Sequence, residues 1–323
     1  MHHLFLPGFL PHAGSHRPGI LFRSLAKIFP LILLVLSLGL VSCGVSSLVP
    51  PPPQTGSFSI QWRFLGPSPT PSQRVLFERA AQRWQKLIVM KLTPVALRLA
   101  PDHCLPGSPP LQQQVDDLLI DVQVLLIDGP GQVLGLASPC VLRQADQMPV
   151  YGFMQLDQED VEELEASGHL ETVLLHEIAH VLGFGSLWQQ RHLLAGLGSA
   201  DPRYLGQRAN EQFSRLGGLG LTPLENEGGD LSRDVHWRSV DLRGELMTGS
   251  PGQALSVLSL AALADLGYQV NWSGADPFEL SQGSHPPTES RTTGFHYREW
   301  VYPGPFWWVD DQGSLTPQRT RRG

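Results

Sequence analysis

A segment near the middle of the chain carries two histidines and a glutamate at a spacing that suits metal chemistry. His176 and His180 are four residues apart in ETVLLHEIAHVLGFGSLW, residues 171–188. Positions four apart lie on one face of a helix, so both imidazoles can bind one metal ion. Glu177 follows the first histidine, where its carboxylate can reach a water on that metal. This H-E-x-x-H pattern is typical of hydrolases in which zinc lowers the pKa of a water and the glutamate takes its proton.

The residues around the motif predict the helix that this spacing needs. Glu171 falls in the first turn, and Gly183 can end the helix. Several apolar residues between them provide faces for packing against the rest of the protein: Val173, Leu174, Ile178, Val181 and Leu182. We therefore expect an active-site helix that presents both histidines.

A third metal ligand must come from elsewhere, because a catalytic zinc usually takes three ligands from the protein. The main candidate is His236, in DVHWRSVDLRGELMTGSP, residues 234–251. Glu225 and Glu227 are the alternatives, but they lie among prolines and glycines, without the helical pattern that a downstream glutamate ligand needs. His192 follows His180 by twelve positions but is expected at the surface, and His103 and His169 lack a matching context.

The complete pattern resembles the leishmanolysin-like metallopeptidases. HEIAHVLGF, a long insertion, and then HW followed by ELMTG occur in that order. Those peptidases are metzincins in which a sizeable insertion separates the helix glycine from the third histidine. In the common metzincin pattern, H-E-x-x-H-x-x-G-x-x-H, the third histidine would stand at position 186, where this chain has serine. The resemblance extends from about Phe58 to about Asn271.

This resemblance implies a role for each of five residues. His176, His180 and His236 map to the zinc ligands, Glu177 to the general base, and Met247 to the Met-turn beneath the metal. Met247 follows His236 by eleven positions, which agrees with the family pattern. An ordinary core methionine is the alternative for Met247. The implied activity is that of a zinc-dependent endopeptidase acting on peptides or proteins.

The predicted elements and the resemblance together imply an α+β metzincin fold. A twisted mixed sheet with two helices would form its upper part, and a smaller C-terminal subdomain would hold His236, the Met-turn and a last helix. The insertion from Gly183 to Asp234 is too long for a featureless loop, so it is expected to carry short elements. The patterns predict strands at 58–64, 118–127 and 150–156, helices at 72–89 and 255–266, a loop or short helix at 157–167, and a loop at 101–114.

Residues 129–139 predict a turn followed by a short strand. In the fold that the resemblance implies, a strand in this region lies antiparallel to the rest of the sheet and roofs the cleft. An edge strand of this kind can pair with an extended substrate backbone. Gly135, Leu136 and Ala137 are therefore candidate substrate-binding residues.

The N-terminal segment has the character of a secretory signal. Residues 31–42 are apolar and follow Arg23 and Lys27. The run is too short and wrongly flanked for a membrane span. It ends in LVSCG, which resembles the bacterial lipobox, where the signal is cut before a cysteine that is then lipidated. Cys43 is the predicted lipidation site, with an ordinary signal peptide or an N-terminal membrane anchor as the alternatives.

These features divide the chain into four predicted regions. The catalytic domain would be held outside the cytoplasm by a lipid anchor, at the cell surface or in the periplasm; secretion is the alternative. Trp307 and Trp308 in the tail are expected to pack on the domain, with an exposed binding patch as the alternative. The regions are a lipoprotein signal at 1–42, a Pro/Ser tether at 43–56, the metallopeptidase domain at 57–272 and a partly disordered tail at 273–323.

The chain contains three cysteines. If Cys43 carries lipid, Cys104 and Cys140 form an even pair in an oxidising compartment, and a disulfide between them is the simpler interpretation. The alternative is that Cys104 binds the zinc and keeps the enzyme latent, because thiolates bind zinc well.

Composition and charge narrow the range of other partners. The chain has 323 residues and a formal net charge of −7, without a basic stripe, so we expect no nucleic-acid binding. The acidic run at 157–167 contains no EF-hand loop, so a structural calcium has no support in the sequence. Two other functions stay open: a non-catalytic, surface-anchored zinc-binding protein with the same fold, and a zinc hydrolase of non-peptide amides.

Overall fold

The structure is a computed structural model that describes most of the chain after its N-terminal segment. The predicted signal segment and the lipidation site Cys43 lie outside the described residues, as does almost all of the tether. Of residues 298–300 only the backbone is described. The described ranges are 56–229, 232–250, 252–280, 298–300, 302 and 304–318.

A mixed sheet forms the frame that carries the other elements. Four of its strands are β1 (Ile60–Leu65), β4 (Leu118–Leu125), β5 (Val133–Arg143) and β6 (Pro149–Asp157). They lie in the order β1, β4, β6, β5; the first three are parallel to one another, and β5 is antiparallel to β6. The family resemblance implies both the mixed sheet and the antiparallel direction of β5, and the structure confirms both.

A two-stranded hairpin covers one face of this sheet. β2 (Val95–Leu99) pairs antiparallel with β3 (Leu111–Val115), so the prediction of a loop over residues 101–114 is wrong at its end. Three glutamines occupy the middle of β3, and the apolar alternation that marks a strand is therefore weak there. A disulfide between Cys104 and Cys140 joins the loop of the hairpin to β5.

Two long helices cover the other face of the sheet. They are α1 (Pro71–Leu87) and α3 (Leu170–Val181). Thr70 begins α1 with a capping box, which satisfies backbone donors at the helix start. Trp84 of α1 is fully buried, and its Nε1 donates to the Leu175 carbonyl of α3 over 3.0 Å. This hydrogen bond ties the helix of the predicted motif to its neighbour.

A shorter helix, α2 (Gln158–Ser167), leads from the sheet into α3. The Asp157 side chain caps its start, and Gly168 ends it in the left-handed region at a φ of 78°. The sequence predicts a loop or a short helix here, and the structure shows the helix. None of the helices in the described ranges has the length and apolar character that crossing a membrane requires.

The long insertion carries its own short elements, as predicted. Its two-residue strands pair antiparallel, and its helix packs against the last α-helix of the described residues. Ser256 caps that last helix, and Gly267 ends it at a φ of 113°. The elements are β7 (Leu194–Ala195), β8 (Arg203–Tyr204), α4 (Gln207–Arg215) and α5 (Val257–Leu266).

The described part of the tail adds three short strands beyond β5. They are β9 (Arg298–Trp300), β10 (Trp307–Val309) and β11 (Leu315–Pro317). β9 and β10 both pair with β5 in parallel, and β11 pairs antiparallel with β10. The expectation that β5 is an edge strand is therefore wrong. The strands that cover its outer edge lie beyond residue 272, outside the region that the family resemblance covers.

Candidate metal centre

Three histidine side chains converge in the protein interior. His176 and His180 extend from α3, and His236 extends from the irregular segment that follows the insertion. The Nε2 atoms are 3.0 Å apart between His176 and His180, 3.1 Å between His180 and His236, and 3.3 Å between His176 and His236. All three residues are buried. Within the described ranges, this is the only group of three or more His, Cys, Asp or Glu residues placed to share a metal ion.

A backbone carbonyl fixes the orientation and the tautomer of each ring. Nδ1 of His176 lies 2.8 Å from the Leu246 oxygen, and Nδ1 of His180 lies 2.9 Å from the Phe184 oxygen. Nδ1 of His236 lies 3.0 Å from its own backbone partner, the carbonyl oxygen four residues earlier. A carbonyl oxygen can only accept, so each Nδ1 must donate its proton. The three Nε2 atoms then carry lone pairs, and those lone pairs point at one another.

This arrangement fits a zinc ion. Three lone pairs facing one another at 3.0–3.3 Å repel unless a cation lies between them. Zinc bound tetrahedrally, with Zn–N distances of about 2.0–2.1 Å, would hold its nitrogen ligands roughly 3.3–3.4 Å apart. Neutral imidazoles suit zinc and other transition metals, whereas calcium and magnesium prefer oxygen ligands. Three protein ligands also leave one position for water or substrate, which is characteristic of catalytic zinc sites.

The sheet holds α3, and with it two of the histidines, in a fixed position. Leu174 and Ile178 are fully buried in the core between α3 and the sheet. Gly152 of β6 lies under the end of the helix, where a Cβ atom would stand 2.5 Å from Cγ1 of Val181 and 2.6 Å from the Ser138 oxygen. Only a glycine allows the helix to approach the sheet this closely.

The chain turns sharply after α3 and meets the segment that carries His236. Gly183 and Gly185 both have positive φ values, 108° and 71°. A Cβ atom on Gly185 would stand 2.2 Å from the Val235 oxygen, so this contact requires glycine. Ser186 stands where the common metzincin pattern has its third histidine, and its hydroxyl donates to the His180 carbonyl over 2.7 Å.

Glu225 organises the segment around His236 and lies outside the metal cluster. Its backbone N–H donates to the His236 carbonyl, and its carbonyl accepts from Asp234, both over 2.9 Å. Its carboxylate accepts from the Ser239 hydroxyl over 2.6 Å. Burial raises the pKa of Glu225, but hydrogen bonds, led by that of Ser239, outweigh burial and hold the pKa below its ordinary value. The alternative assignment of Glu225 as a ligand is therefore wrong, and Glu227 is exposed.

A buried carboxylate that the sequence analysis missed supports the segment around Met247. Glu245 is fully buried and accepts hydrogen bonds from the Met247 backbone and from the hydroxyls of Ser256 and Ser259. Ser259 in turn accepts from Nε1 of Trp237, whose backbone N–H donates to the Met247 carbonyl; both distances are 2.9 Å. Burial raises the pKa of Glu245, and these hydrogen bonds limit the rise. A glutamate directly before the apolar pair Leu246 and Met247 was the available signal.

The other four predicted site residues lie on two elements of the fold. Glu177, next to His176 on α3, is fully buried. Gly135, Leu136 and Ala137 lie on β5, against which α3 packs.

The cysteines and the remaining histidines lie outside the cluster. Cys104 and Cys140 are joined in a disulfide, so neither offers a thiolate to a metal. His192 is exposed, as predicted, and His169 stands at the start of α3. The His103 ring lies 4.5 Å from the half-buried Trp307 ring in the tail, and burial lowers the pKa of this histidine.

The fold and the cluster together define a metal-binding α+β protein whose site is shared between one helix and a distant loop segment. The family model for leishmanolysin matches residues 113–284, more than half of the chain. The chain therefore belongs to the leishmanolysin family of metallopeptidases. The match includes the whole of α3, His236 and Met247. A search of curated protein sequences finds no match.

Proposed function

We propose that the protein is a zinc-dependent endopeptidase in which Glu177 is the general base. One observation carries the proposal: three Nε2 lone pairs, each fixed by a backbone carbonyl on the opposite ring nitrogen, converge on one point, and two of these histidines share a buried helix with Glu177. Membership of the leishmanolysin family supplies the class of substrate, since a peptidase acts on peptides or proteins. All of the side chains in this site belong to the described residues, and none lies in the N-terminal segment.

Zinc bound at the three histidines would supply Lewis-acid chemistry, polarising a carbonyl and lowering the pKa of a water. Glu177 takes a proton from the attacking water and then donates it to the leaving amine. His176, His180 and His236 keep their Nε2 lone pairs available because their Nδ1 protons are engaged. We assign Met247 to the Met-turn, because its carbonyl accepts from the backbone N–H of the residue directly after His236.

We further propose that an extended peptide binds along the outer edge of β5, in place of the tail strand β9 that pairs there in the structure. Backbone groups of Gly135, Leu136 and Ala137 would pair with the substrate as an added strand, which suits polypeptides better than small amides. The same strand packs on α3, the helix that carries Glu177, so a peptide on β5 would run past the general base.

The test compares the full chain with a Glu177→Gln variant on a mixed peptide library, with bound zinc measured in both. The parent should bind about one zinc per chain and cleave peptides, whereas the variant should keep its zinc and lose roughly 10²–10⁴-fold in rate. Glu171→Gln, on the same helix, is the matched control and should retain activity. Hydrolysis that survives in Glu177→Gln would refute the assignment. Zinc binding without any product would instead support the non-catalytic zinc-binding protein.

A second comparison tests the third ligand. His236→Ala should lose most of the zinc affinity, because two histidines of one helix leave the metal with too few protein ligands. His192→Ala removes an exposed histidine outside the cluster and should bind zinc as the parent does. Equal zinc affinity in the two variants would show that His236 is not a ligand.

The lipid anchor and the location outside the cytoplasm are also part of the proposal. Their support is the LVSCG sequence around Cys43, and a disulfide is most stable in an oxidising compartment. Labelling with a radioactive fatty acid in the producing cells should mark the parent and fail to mark Cys43→Ser. Equal labelling of the two proteins would exclude this cysteine as the anchor site.

A further inference from the structure

The strand proposed to bind substrate has both of its edges occupied in the structure. One edge of β5 pairs with β6 from Gly135 to Leu142. The other edge pairs with β9 between Val133 and Leu136, and with β10 between Val141 and Arg143. The tail therefore follows the outer edge of β5 at both of its ends, in the same chain direction.

The residues of β5 that the tail covers include two of the three predicted substrate-binding residues. Gly135 is paired with Glu299, and Leu136 with Trp300. The backbone N–H and C=O groups on one edge of a strand can pair with one neighbour at a time. An extended peptide that added to β5 here would need the groups that β9 already uses. Tail and peptide binding are thus mutually exclusive at these residues.

The tail also reaches the segments that carry the histidines. Tyr302 lies between β9 and β10, and its ring contacts Phe153 of β6 edge-on, with the centroids 5.4 Å apart. Tyr302 lines a cavity of about 360 Å³ together with Ser186 and Val235. The Ser186 hydroxyl donates a hydrogen bond to the His180 carbonyl, and Val235 directly precedes His236. Tyr302 is therefore held beside the segments that carry His180 and His236.

From these contacts we infer that β9, residues 298–300, is an autoinhibitory segment, which must leave β5 before an extended peptide substrate can bind. This inference rests on the proposed function for its consequence, whereas the pairing of β9 with β5 is independent of catalysis. The ligand that the segment excludes is a polypeptide in extended conformation. The metal centre itself stays complete while the segment is in place.

The segment should inhibit reversibly and competitively. β9 contributes only three residues to the ladder, so its release breaks few hydrogen bonds. β10 is held more firmly, because Phe306 and Val309 are buried in the hydrophobic core. A competitor tethered in this way acts at an effective concentration of the order of millimolar. It therefore raises KM for long peptides and leaves kcat unchanged.

Proline substitutions within β9 test this inference in the full chain. Proline lacks the N–H that a ladder needs, and alternate residues direct their N–H groups to the same neighbour. Glu299→Pro and Trp300→Pro, made separately, therefore include at least one variant that loses a hydrogen bond to β5. Thr316→Pro is the matched control, since it lies in β11, which pairs only with β10.

Two readouts that do not need catalysis report on the pairing. In the proline variant that loses a hydrogen bond to β5, the amides of residues 133–136 that face the tail should exchange with solvent at least tenfold faster than in the parent and in Thr316→Pro. A fluorescent peptide with the sequence REWVYPGPF, residues 298–306, should bind this variant at least tenfold more tightly than it binds the parent. Unchanged exchange in both variants, or equal peptide binding, would overturn the inference.

Kinetics then test the consequence. The variant with faster exchange should show a roughly tenfold lower KM for a long peptide substrate, with kcat unchanged. Faster exchange without any fall in KM would also overturn the inference, because the segment would then not compete with substrate. If neither parent nor variants cleave any peptide, the proposed function fails, and amide exchange and peptide binding still decide whether the segment occupies the peptide-binding edge.

Discussion

Two histidines of the metal cluster stand four residues apart on one helix, whereas the third stands on an irregular segment beyond a long insertion. The helical half of the site is α3 with His176 and His180, and the loop half is the segment that carries His236 and Met247. The helical half needs only the periodicity of α3 and the sheet behind it. The loop half has no such regular support, and buried polar groups hold it instead. Glu225 joins the chain on both sides of His236, and Glu245 joins the Met247 segment to α5. The same ligand chemistry is thus obtained once from local structure and once from long-range contacts.

The difference indicates that the two halves should respond differently to mutation. A change in the helical half should lower stability and leave the metal geometry of the folded protein intact. A change in the loop half should move His236 relative to the other two ligands. Zinc affinity, measured beside the free energy of unfolding, separates the two cases.

The largest effect is expected for Trp237→Ala in the loop half. Trp237 is fully buried and packs on Phe184, Trp188 and Tyr204, with ring centroids 5.1–5.2 Å apart. Its removal should lower the free energy of unfolding by about 3–5 kcal/mol in a denaturant titration and weaken zinc binding as well. Phe77→Ala on α1 is the matched control, which should lose stability and keep its zinc affinity. Equal zinc affinity in the two variants would contradict the distinction between the halves.

Glu245→Ala should have the next largest effect. It leaves two buried serine hydroxyls and the Met247 N–H without their acceptor, which should cost about 3 kcal/mol of unfolding free energy. Thermal unfolding with and without zinc measures this loss. The control is Glu279→Ala, which replaces an exposed glutamate after α5. It should change the unfolding free energy by less than about 0.5 kcal/mol. A loss below about 1 kcal/mol for Glu245→Ala would mean that its hydrogen bonds do not hold the segment.

Glu225→Gln should mainly lower the affinity for zinc. A residue that orients a ligand typically contributes 10–100-fold to metal affinity, so we expect a fall of about tenfold. Competition with a zinc chelator of known affinity measures it. Glu227→Gln, two residues further on and exposed, should bind zinc as the parent does. An unchanged affinity in Glu225→Gln would show that His236 is positioned by other contacts.

The smallest effect is expected for Asp157→Asn, which tests the helical half. Burial raises the pKa of Asp157, but hydrogen bonds from backbone amides, led by Ile127, outweigh it and lower the pKa below its ordinary value of 3.8. A lowered pKa stabilises the folded protein above the unfolded-state pKa, and this contribution is lost as pH falls through the folded-state pKa. Because hydrogen bonds to a charged acceptor are stronger than those to a neutral amide, the variant should be about 1 kcal/mol less stable at neutral pH, with a difference that shrinks in acid and an unchanged zinc affinity. A difference that grows in acid would contradict this sign.

Much of the fold could be predicted because its signals are local. The signals are the apolar sequences of β1, β4 and β6, the capping sequence before α1, and the glycine after α5. Each of them depends on only a few neighbouring residues. The β2–β3 hairpin could not be predicted in this way, and the sequence indicates only the loop between its strands. β3 carries glutamines where the apolar alternation should be, and its identity depends on pairing with β2.

The sequence by itself determined the ligand chemistry of this protein. The spacing of His176 and His180 is a property of one helix, and the ordered motif around His236 and Met247 can be read along the chain without knowing where those residues lie. The tertiary structure alone decided which groups support them: that Glu225 holds the His236 segment while lying outside the cluster, that Glu245 is buried among serines, and that the tail pairs with β5. These are contacts between residues far apart in the chain. Local periodicity does not encode them, because a backbone edge or a buried carboxylate accepts any partner that the fold brings within hydrogen-bonding distance.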